Sequence, residues 1–183
     1  MSDPPATWLP AFLRRAIERS QGFLLLKMPR EAARELDGIA GVAGAVPAYL
    51  RARMDVETAQ ENWTAVLELA SRLRALEPGQ PANYISMAFA TRRCGTLREA
   101  EEILSEGAKR FPGIGLFWYN LACYAAVGGR AEEALLLLGK ALKIEPGLLE
   151  LAAEDGDFET VRDRIAEWEM AAEPPDDSPG FAE

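Results

Sequence analysis

Two cysteines and two pairs of adjacent glutamates are the residues of this 183-residue chain that could take part in nucleophilic or acid–base chemistry. The chain has no histidine, so no Ser-His or Cys-His pair can activate a nucleophile. The pairs Glu101–Glu102 and Glu132–Glu133 have basic neighbours and are expected on a solvated helix face. The sequence therefore predicts no catalytic residue, and an enzyme is only a remote alternative.

Cysteine and glycine spacing argue against a metal or nucleotide site. Cys94 and Cys123 form no CxxC motif, and zinc would lack its other ligands, so we expect two small buried thiols in a reducing compartment. Gly38, Gly41 and Gly44 follow the spacing GxxGxxG rather than GxGxxG, and no strand pattern precedes them. We interpret the glycines as a linker and expect no metal and no cofactor.

The acidity of the chain is confined to its C-terminal end. The net charge is −9, and residues 149–183 hold twelve of the 29 acidic residues but only Arg162 and Arg164 of the 20 basic ones. The rest is close to neutral and has no basic stripe, which disfavours nucleic-acid binding. We interpret the acidic end as a solvating cap and tail.

The N-terminus shows no targeting signal. Asp3 and Glu18 interrupt any secretion signal, and the apolar run at 23–26 is short. No stretch approaches the roughly 20 apolar residues of a membrane span. The sequence thus predicts a cytoplasmic protein without a membrane partner.

The elements that position these residues follow an internal repeat of about 34 residues. Large apolar, small and proline residues return in phase in repeats at 13–46, 47–80, 81–114 and 115–148, of which the first is divergent and the second weak. The clearest repeat has Trp118, Leu121, Ala134, Leu138, Ala141 and Pro146, which match Tyr84, Met87, Ala100, Leu104, Gly107 and Pro112. We assign Trp118 and Leu121 to the core.

This pattern resembles the tetratricopeptide repeat (TPR) family, whose unit is a helix-turn-helix of that period. The resemblance implies an all-α fold, a right-handed α-solenoid of antiparallel helix pairs. It covers nearly all of a single domain at 9–170, between a flexible lead at 1–8 and a disordered acidic tail at 171–183. Helices are expected over 9–27, 29–39, 47–59, 61–76, 82–94 and 97–110.

A terminal cap is expected after the last repeat. Asp157 is a plausible N-cap where Asp155-Gly156-Asp157 breaks a short helix. The next helix carries one apolar stripe that would cover the exposed face of the last repeat. Its members are Phe158, Val161, Ile165 and Trp168.

In the TPR family, function lies on the concave surface made by the first helix of each repeat. Its best-known version grips the terminal carboxylate of a chaperone with lysine, asparagine, asparagine, lysine and arginine. The matching positions here differ from that set, which argues against chaperone-tail capture. They are Arg51, Asp55, Ser86, Leu116 and Asn120.

The same face predicts an apolar groove with a cationic edge. We expect it to bind a peptide or protein segment that has apolar anchors and an acidic flank, as an adaptor or chaperone. Short acidic TPR proteins of bacteria that chaperone secretion substrates are similar in size and groove character. The predicted partner-binding residues are Arg51, Ile85, Phe89, Arg92, Arg93, Leu116, Tyr119, Asn120 and Cys123.

Other interpretations of this face stay open. Phe117, Trp118, Tyr119 and Tyr124 could instead fill the core under the cap, with Arg92 and Arg93 merely solvated. The apolar surface could also make the protein a structural subunit that self-associates as a homodimer. A further hypothesis is that the acidic tail around Asp176 and Asp177 folds back on Arg92 and Arg93 and competes with ligands.

Overall fold

The structure is a computed structural model that describes residues 9–171. The described residues contain α-helices, one 3-10 helix and no strand, as the predicted all-α class requires. The expectations for the lead at 1–8, for Asp176 and Asp177, and for the tail at 171–183 from residue 172 onward lie outside the described residues. Ala171, which the sequence predicts to belong to the tail, is the last residue of a helix. The helices are α1 Ala11–Leu25, α2 Pro29–Asp37, α3 Ala40–Ala43, α4 Pro47–Ala59, α5 Trp63–Leu76, α6 Pro81–Cys94, α7 Leu97–Arg110, α8 Gly115–Val127, α9 Ala131–Ile144, α10 Leu148–Glu154, the 3-10 helix Gly156–Val161 and α11 Arg162–Ala171.

The chain folds into two compact units, an N-terminal unit up to Cys94 and a C-terminal unit from Gly95 onward. In the N-terminal unit, α1 packs on α2 and α4, α4 packs on α5, and α5 packs on α6. Helical spacing on α1 places Leu13 and Ile17 on the buried face, where Leu36, Leu50 and Leu73 join them. The resulting apolar core holds α1 to α5 together.

A buried carboxylate is accommodated in the N-terminal unit because it is fully paired. The Glu57 side chain accepts hydrogen bonds from Arg53 Nε at 2.8 Å and from Asn62 Nδ2 at 2.7 Å. Arg53 also donates to Asp37 Oδ1 at 2.7 Å. Because an unpaired buried charge is costly, these bonds join α4 to the segments on either side of it.

The linker interpretation of the three glycines is wrong for most of this segment. Residues 40–43 form the short helix α3, and Gly41 lies inside it. Gly38 and Gly44 have helical φ values of −62° and −57°, so neither uses the conformational freedom of glycine. The segment is ordered because Ile39 and Ala43 are buried in the core of the N-terminal unit.

Proline ends three helices in the same way, as the repeat predicts. Glu77, Phe111 and Glu145 each precede a proline and leave the helical region, with φ between −130° and −140° and ψ between 64° and 84°. The ring of proline excludes the helical conformation from the residue before it. Each of the three still donates its N–H to the carbonyl four residues earlier, so the last helical bond is kept.

Small residues let the helices of the C-terminal unit approach closely. Ala100, Ala134 and Ala141 are buried, and α8 packs against both α7 and α9. The ring of Phe117 fills the space beside Gly107, so a Cβ built on Gly107 would lie 2.2 Å from Phe117 Cε1. Of the two side chains assigned to the core, Leu121 is buried and Trp118 is only half-buried.

The C-terminal cap has the predicted apolar stripe but a different N-cap. Phe158, Val161, Ile165 and Trp168 are all buried. The N-cap is Asp155 rather than Asp157, because the chain turns at Asp155 and its side chain accepts the Asp157 N–H at 2.9 Å. The 3-10 helix then begins one residue after Asp155, earlier than the sequence predicts.

Two glycine substitutions should change stability in opposite directions. Gly107→Ala forces a methyl group against the Phe117 ring and should cost about 1–3 kcal/mol through overpacking. Gly139 lies inside α9, where a Cβ would meet no described heavy atom within 4 Å apart from its own chain neighbours and helix backbone. Gly139→Ala should therefore stabilise the protein by about 0.5–1 kcal/mol through its higher helix propensity. Urea unfolding measures both, and shifts of the same sign would contradict the packing described for Gly107.

Candidate functional site

The end of α6 and the beginning of α5 bring two aromatic rings and an arginine together. Phe89 and Arg93 are four residues apart on α6 and so share one face of that helix. Trp63, the first residue of α5, lies beside them because α5 packs along α6. We call Trp63, Phe89 and Arg93 the aromatic–arginine cluster.

The cluster has the geometry of a double cation–π contact. The guanidinium carbon of Arg93 lies 4.8 Å from the Phe89 ring centroid and 5.1 Å from the Trp63 ring centroid. The two rings meet edge to face, with centroids 5.5 Å apart and an interplanar angle of 75°. Both rings are partly exposed and Arg93 is exposed, so the cluster lies at the surface of the N-terminal unit.

Trp63 is absent from the residues predicted from the sequence. It lies in the second helix of its repeat, whereas the resemblance directs attention to first helices. A signal was nevertheless present, because Trp63 is a large apolar residue in the polar stretch Glu61-Asn62-Trp63-Thr64. A tryptophan among polar neighbours at a helix start needs either a packing partner or a binding partner.

The other predicted residues of the N-terminal unit have varied surroundings. Arg51 on α4 forms an ion pair with Glu77, with a second contact from Nη2 to Oε1 at 3.4 Å. Ile85 and Arg92 are half-buried on α6. Ile85 precedes Phe89 by one helical turn, so these two apolar side chains are neighbours along one face.

In the C-terminal unit, the structure places Tyr119 and Cys123 in the interior. Both side chains are only 3% exposed, and the Tyr119 ring meets Phe158 edge to face at 5.5 Å. Their contacts are therefore with the chain's own C-terminal cap, the location that the core interpretation gives to Tyr119. Leu116 and Asn120 are half-buried, and Asn120 Nδ2 donates to the Leu116 carbonyl at 2.7 Å.

Asp155 connects the buried end of α8 to the cap. Its Oδ2 accepts a hydrogen bond from the Tyr119 hydroxyl at 2.7 Å and lies 3.7 Å from Cys123 Sγ. Its Oδ1 accepts the Asp157 N–H. Burial and the hydrogen bond to Asp155 raise the pKa of Tyr119 well above its usual range, so this hydroxyl remains a neutral donor.

Among the side chains that the structure describes, one group has metal-ligand chemistry. Ligand atoms of Cys123, Asp155 and Asp157 lie within 4.8 Å of one another. Both oxygens of Asp155 already accept hydrogen bonds within the chain, which accounts for the position of its carboxylate. The group is therefore explained as part of the hydrogen-bond network under the cap.

The expectation for the cysteines is half right. Cys123 is buried as predicted, but Cys94 is exposed. Cys94 is the last residue of α6, and its Sγ lies 3.2 Å from the Ala90 carbonyl one turn earlier. A helix end at the surface leaves the thiol in contact with solvent.

The glutamate pairs lie beside basic residues, as expected. Arg130 forms ion pairs with Glu101 and Glu133. Arg98 pairs with Glu102 at 3.1 Å, and Arg164 pairs with Glu132 at 3.6 Å. These carboxylates therefore have partners typical of a solvated helix surface. Over the described range, 9–171, every helix is too short or too polar to cross a membrane.

Comparison with known proteins assigns the fold. No protein-family model and no curated protein matches the chain. Among solved structures, MamA 41-end from Desulfovibrio magneticus RS-1 is 15% identical, with 89% of this chain and 94% of that chain covered and a TM-score of 0.67. A putative kinesin light chain from Podosopora anserina with nearly identical TPR-like repeats is 18% identical, with 87% and 93% covered and a TM-score of 0.66.

The chain has a TPR-type repeat fold. A further structure, described as the crystal structure of MamA protein, agrees, with 13% identity, coverage of 88% and 90%, and a TM-score of 0.67. The TPR resemblance and the helical-repeat class predicted from the sequence are therefore confirmed. At these identities the similarity concerns the TPR fold alone.

Removal of the Asp155 carboxylate should destabilise the protein. In Asp155→Ala the buried Tyr119 hydroxyl loses its acceptor and the 3-10 helix loses its N-cap, at a cost of about 1–3 kcal/mol. Glu167→Ala on α11 is the matched control, since Glu167 is exposed and such substitutions change stability by less than about 0.5 kcal/mol. Urea unfolding of both variants measures the difference. Equal stabilities would rule out the role given to Asp155.

Proposed function

We propose that this protein is a non-enzymatic interaction module that binds a peptide or protein segment on the N-terminal unit, around the aromatic–arginine cluster, as an adaptor or chaperone. The observation that carries the proposal is the cluster itself. Tryptophan and arginine are enriched among the residues that contribute most to binding energy, and aromatic residues are enriched in protein interfaces. Here both types lie side by side at a surface.

The fold supports this location. In the TPR family, first helices of repeats form the binding surface, and α6 is the first helix of the repeat at 81–114. Pro81–Cys94 contains Arg92 and Arg93 and no acidic residue, so the helix is positively charged. A helix with apolar residues on one face and cations at its end suits a segment with apolar anchors and an acidic flank.

The proposed contacts differ in kind among the predicted residues. Ile85, Phe89, Arg92 and Arg93 would touch the partner directly. Arg51 would do so beside its ion pair with Glu77. The C-terminal unit, taken by itself, offers Leu116 and Asn120 as candidates for direct contact with a partner, whereas Tyr119 and Cys123 lie in its interior and would not touch one.

Self-association is the second candidate function. It would use the same partly exposed rings, which a second copy of the chain could cover as well as a different protein could. The two candidates predict different masses in solution. Light scattering after gel filtration would show a dimer for the structural subunit and a monomer for the adaptor.

One charge placed in the cluster should abolish binding while the fold is kept. Phe89→Glu removes the apolar ring and lets the new carboxylate pair with Arg93 one turn later, so the helix should remain folded. Phe12→Glu is the matched control, because Phe12 is 54% exposed and lies on α1. In co-purification from cell extract, a specific partner should be absent only with Phe89→Glu, provided that all three proteins melt at the same temperature.

Other outcomes separate the alternatives. Identical partners for the wild type and Phe89→Glu would exclude the cluster as the binding surface. A dimeric wild type that becomes monomeric only in Phe89→Glu would favour self-association. Loss of partners only in Phe12→Glu would move the binding surface to α1.

A further inference from the structure

We propose that Arg93 is a carboxylate-recognition point, and that the bound segment carries an acidic group next to a large apolar side chain. This inference rests on the proposed function and names the chemistry of its partner. The observations that carry it are the position of Arg93 between two rings, the lack of a carboxylate partner for Arg93 within the described residues, and the apolar surface beside it.

The rings hold the guanidinium, and within residues 9–171 no oxygen atom accepts a hydrogen bond from it. A guanidinium has five N–H groups that lie in its own plane. The faces of Trp63 and Phe89 attract the positive charge through their quadrupoles, at 5.1 and 4.8 Å from the guanidinium carbon. Because the two rings stand at 75° to each other, the guanidinium plane can lie parallel to only one of them. The N–H groups that do not point toward a ring remain available for a planar acceptor such as a carboxylate.

Arg93 differs in this respect from other arginines of the chain. Arg51 is paired with Glu77, Arg53 with Asp37 and Glu57, and Arg130 with Glu101 and Glu133. Over residues 9–171, the interactions of Arg93 are those with the two rings. Its charge is therefore not neutralised by a carboxylate of the described chain.

The local charge favours an anionic partner. α6 has no acidic residue along its whole length, and Arg93 has no carboxylate partner within residues 9–171. A carboxylate that approaches Arg93 therefore meets a positive charge, which favours association and correct orientation. The bond formed between guanidinium and carboxylate would be charge-assisted and could be bidentate.

The partly exposed rings explain why the acidic group should have an apolar neighbour. Phe89 and Trp63 are each partly exposed, and Ile85, which is also partly exposed, lies one turn before Phe89 on the same helix. A leucine, phenylalanine or tryptophan seated there would displace water around Arg93. Because a hydrogen bond between charged groups strengthens as water is removed, the two contacts would support each other.

The cluster also lowers the conformational entropy that Arg93 loses when a partner binds. A free arginine side chain loses considerable rotamer entropy when it binds. Here the two rings already restrict Arg93 before a partner arrives, which is preorganisation in the usual sense. Lysine carries a compact charge and lacks the planar set of N–H donors of a guanidinium. Arg93→Lys should therefore recognise a carboxylate less well than the wild type does.

The test uses pairs of short synthetic peptides. Each pair has Leu, Phe or Trp beside Asp or Glu in one member and beside Asn or Gln in the other, and each is made with a free and an amidated C-terminus. Fluorescence polarisation gives their affinities for the full-length wild type, Arg93→Gln and Arg93→Lys. Arg15→Gln is the matched control, since Arg15 is an exposed arginine on α1 of the same unit.

For the wild type, the best acidic peptide should bind about tenfold or more tightly than the version in which the recognised carboxylate, of the side chain or of the C-terminus, is replaced by an amide. Arg93→Gln should abolish this preference, Arg93→Lys should keep part of it, and Arg15→Gln should keep all of it. The preference should also shrink as salt is raised, because the cluster is exposed. Loss of binding on amidation would identify a C-terminal carboxylate, and unchanged binding would identify a side-chain carboxylate.

Two results would overturn the inference. One is that binding to the wild type is weakened neither by replacing the acidic side chain with its amide nor by amidating the C-terminus, and the other is that the preference for the carboxylate persists in Arg93→Gln. Peptide binding to Phe89→Glu then shows whether the proposed function fails together with this inference. Peptide binding that is lost in Phe89→Glu but unchanged in Arg93→Gln would leave an apolar docking surface without carboxylate recognition. Peptide binding unchanged in both variants would also remove the proposed function from this surface.

Discussion

Close approach of consecutive helices is the constraint on which the structure depends. It requires small side chains at the contacts, and Ala70, Ala88, Ala100 and Ala134 are at most 1% exposed. A larger residue at such a point would force the helices apart, because packed interiors have no spare volume. Gly107 is the extreme case, since the Phe117 ring occupies the place of its missing side chain. The spacing of helices within each unit, and thus the surface each unit presents, follows from these residues.

Features governed by local sterics were predictable from the sequence, and the choice of exposed face was not. Pro78, Pro112 and Pro146 end helices wherever they occur, because the restriction acts on the preceding residue alone. In α8, by contrast, nearly every residue is apolar, so no polar face indicates which side meets solvent. The sequence alone therefore does not decide whether Tyr119 lies in a binding groove or in the core. Asp155, which is partly exposed and lies 36 residues along the chain from Tyr119, gives that hydroxyl its partner.

The candidate site was predictable in part for the same reason. Phe89 and Arg93 belong to one helix, so their spacing alone places them on one face. Trp63 belongs to another helix, and only the packing of α5 on α6 brings its ring to Arg93. The misassigned N-cap at Asp157 is a similar case, since both aspartates could cap a helix and the backbone turn at Asp155 selects one. Single-helix patterns can be predicted from periodicity, whereas contacts between helices require the fold.

Each unit contains an edge-to-face pair of aromatic rings, which is buried in the C-terminal unit and partly exposed in the N-terminal unit. Tyr119 and Phe158 meet edge to face at 5.5 Å in the interior, and Trp63 and Phe89 meet at the same distance and in the same orientation at a surface. The interior pair directs its hydroxyl to a carboxylate that the chain supplies. The surface pair holds a guanidinium for which the described chain supplies none. Because a buried polar group must be paired within the fold while an exposed one need not be, the interior arrangement is complete in itself, and the surface arrangement leaves a charge that a partner can complement.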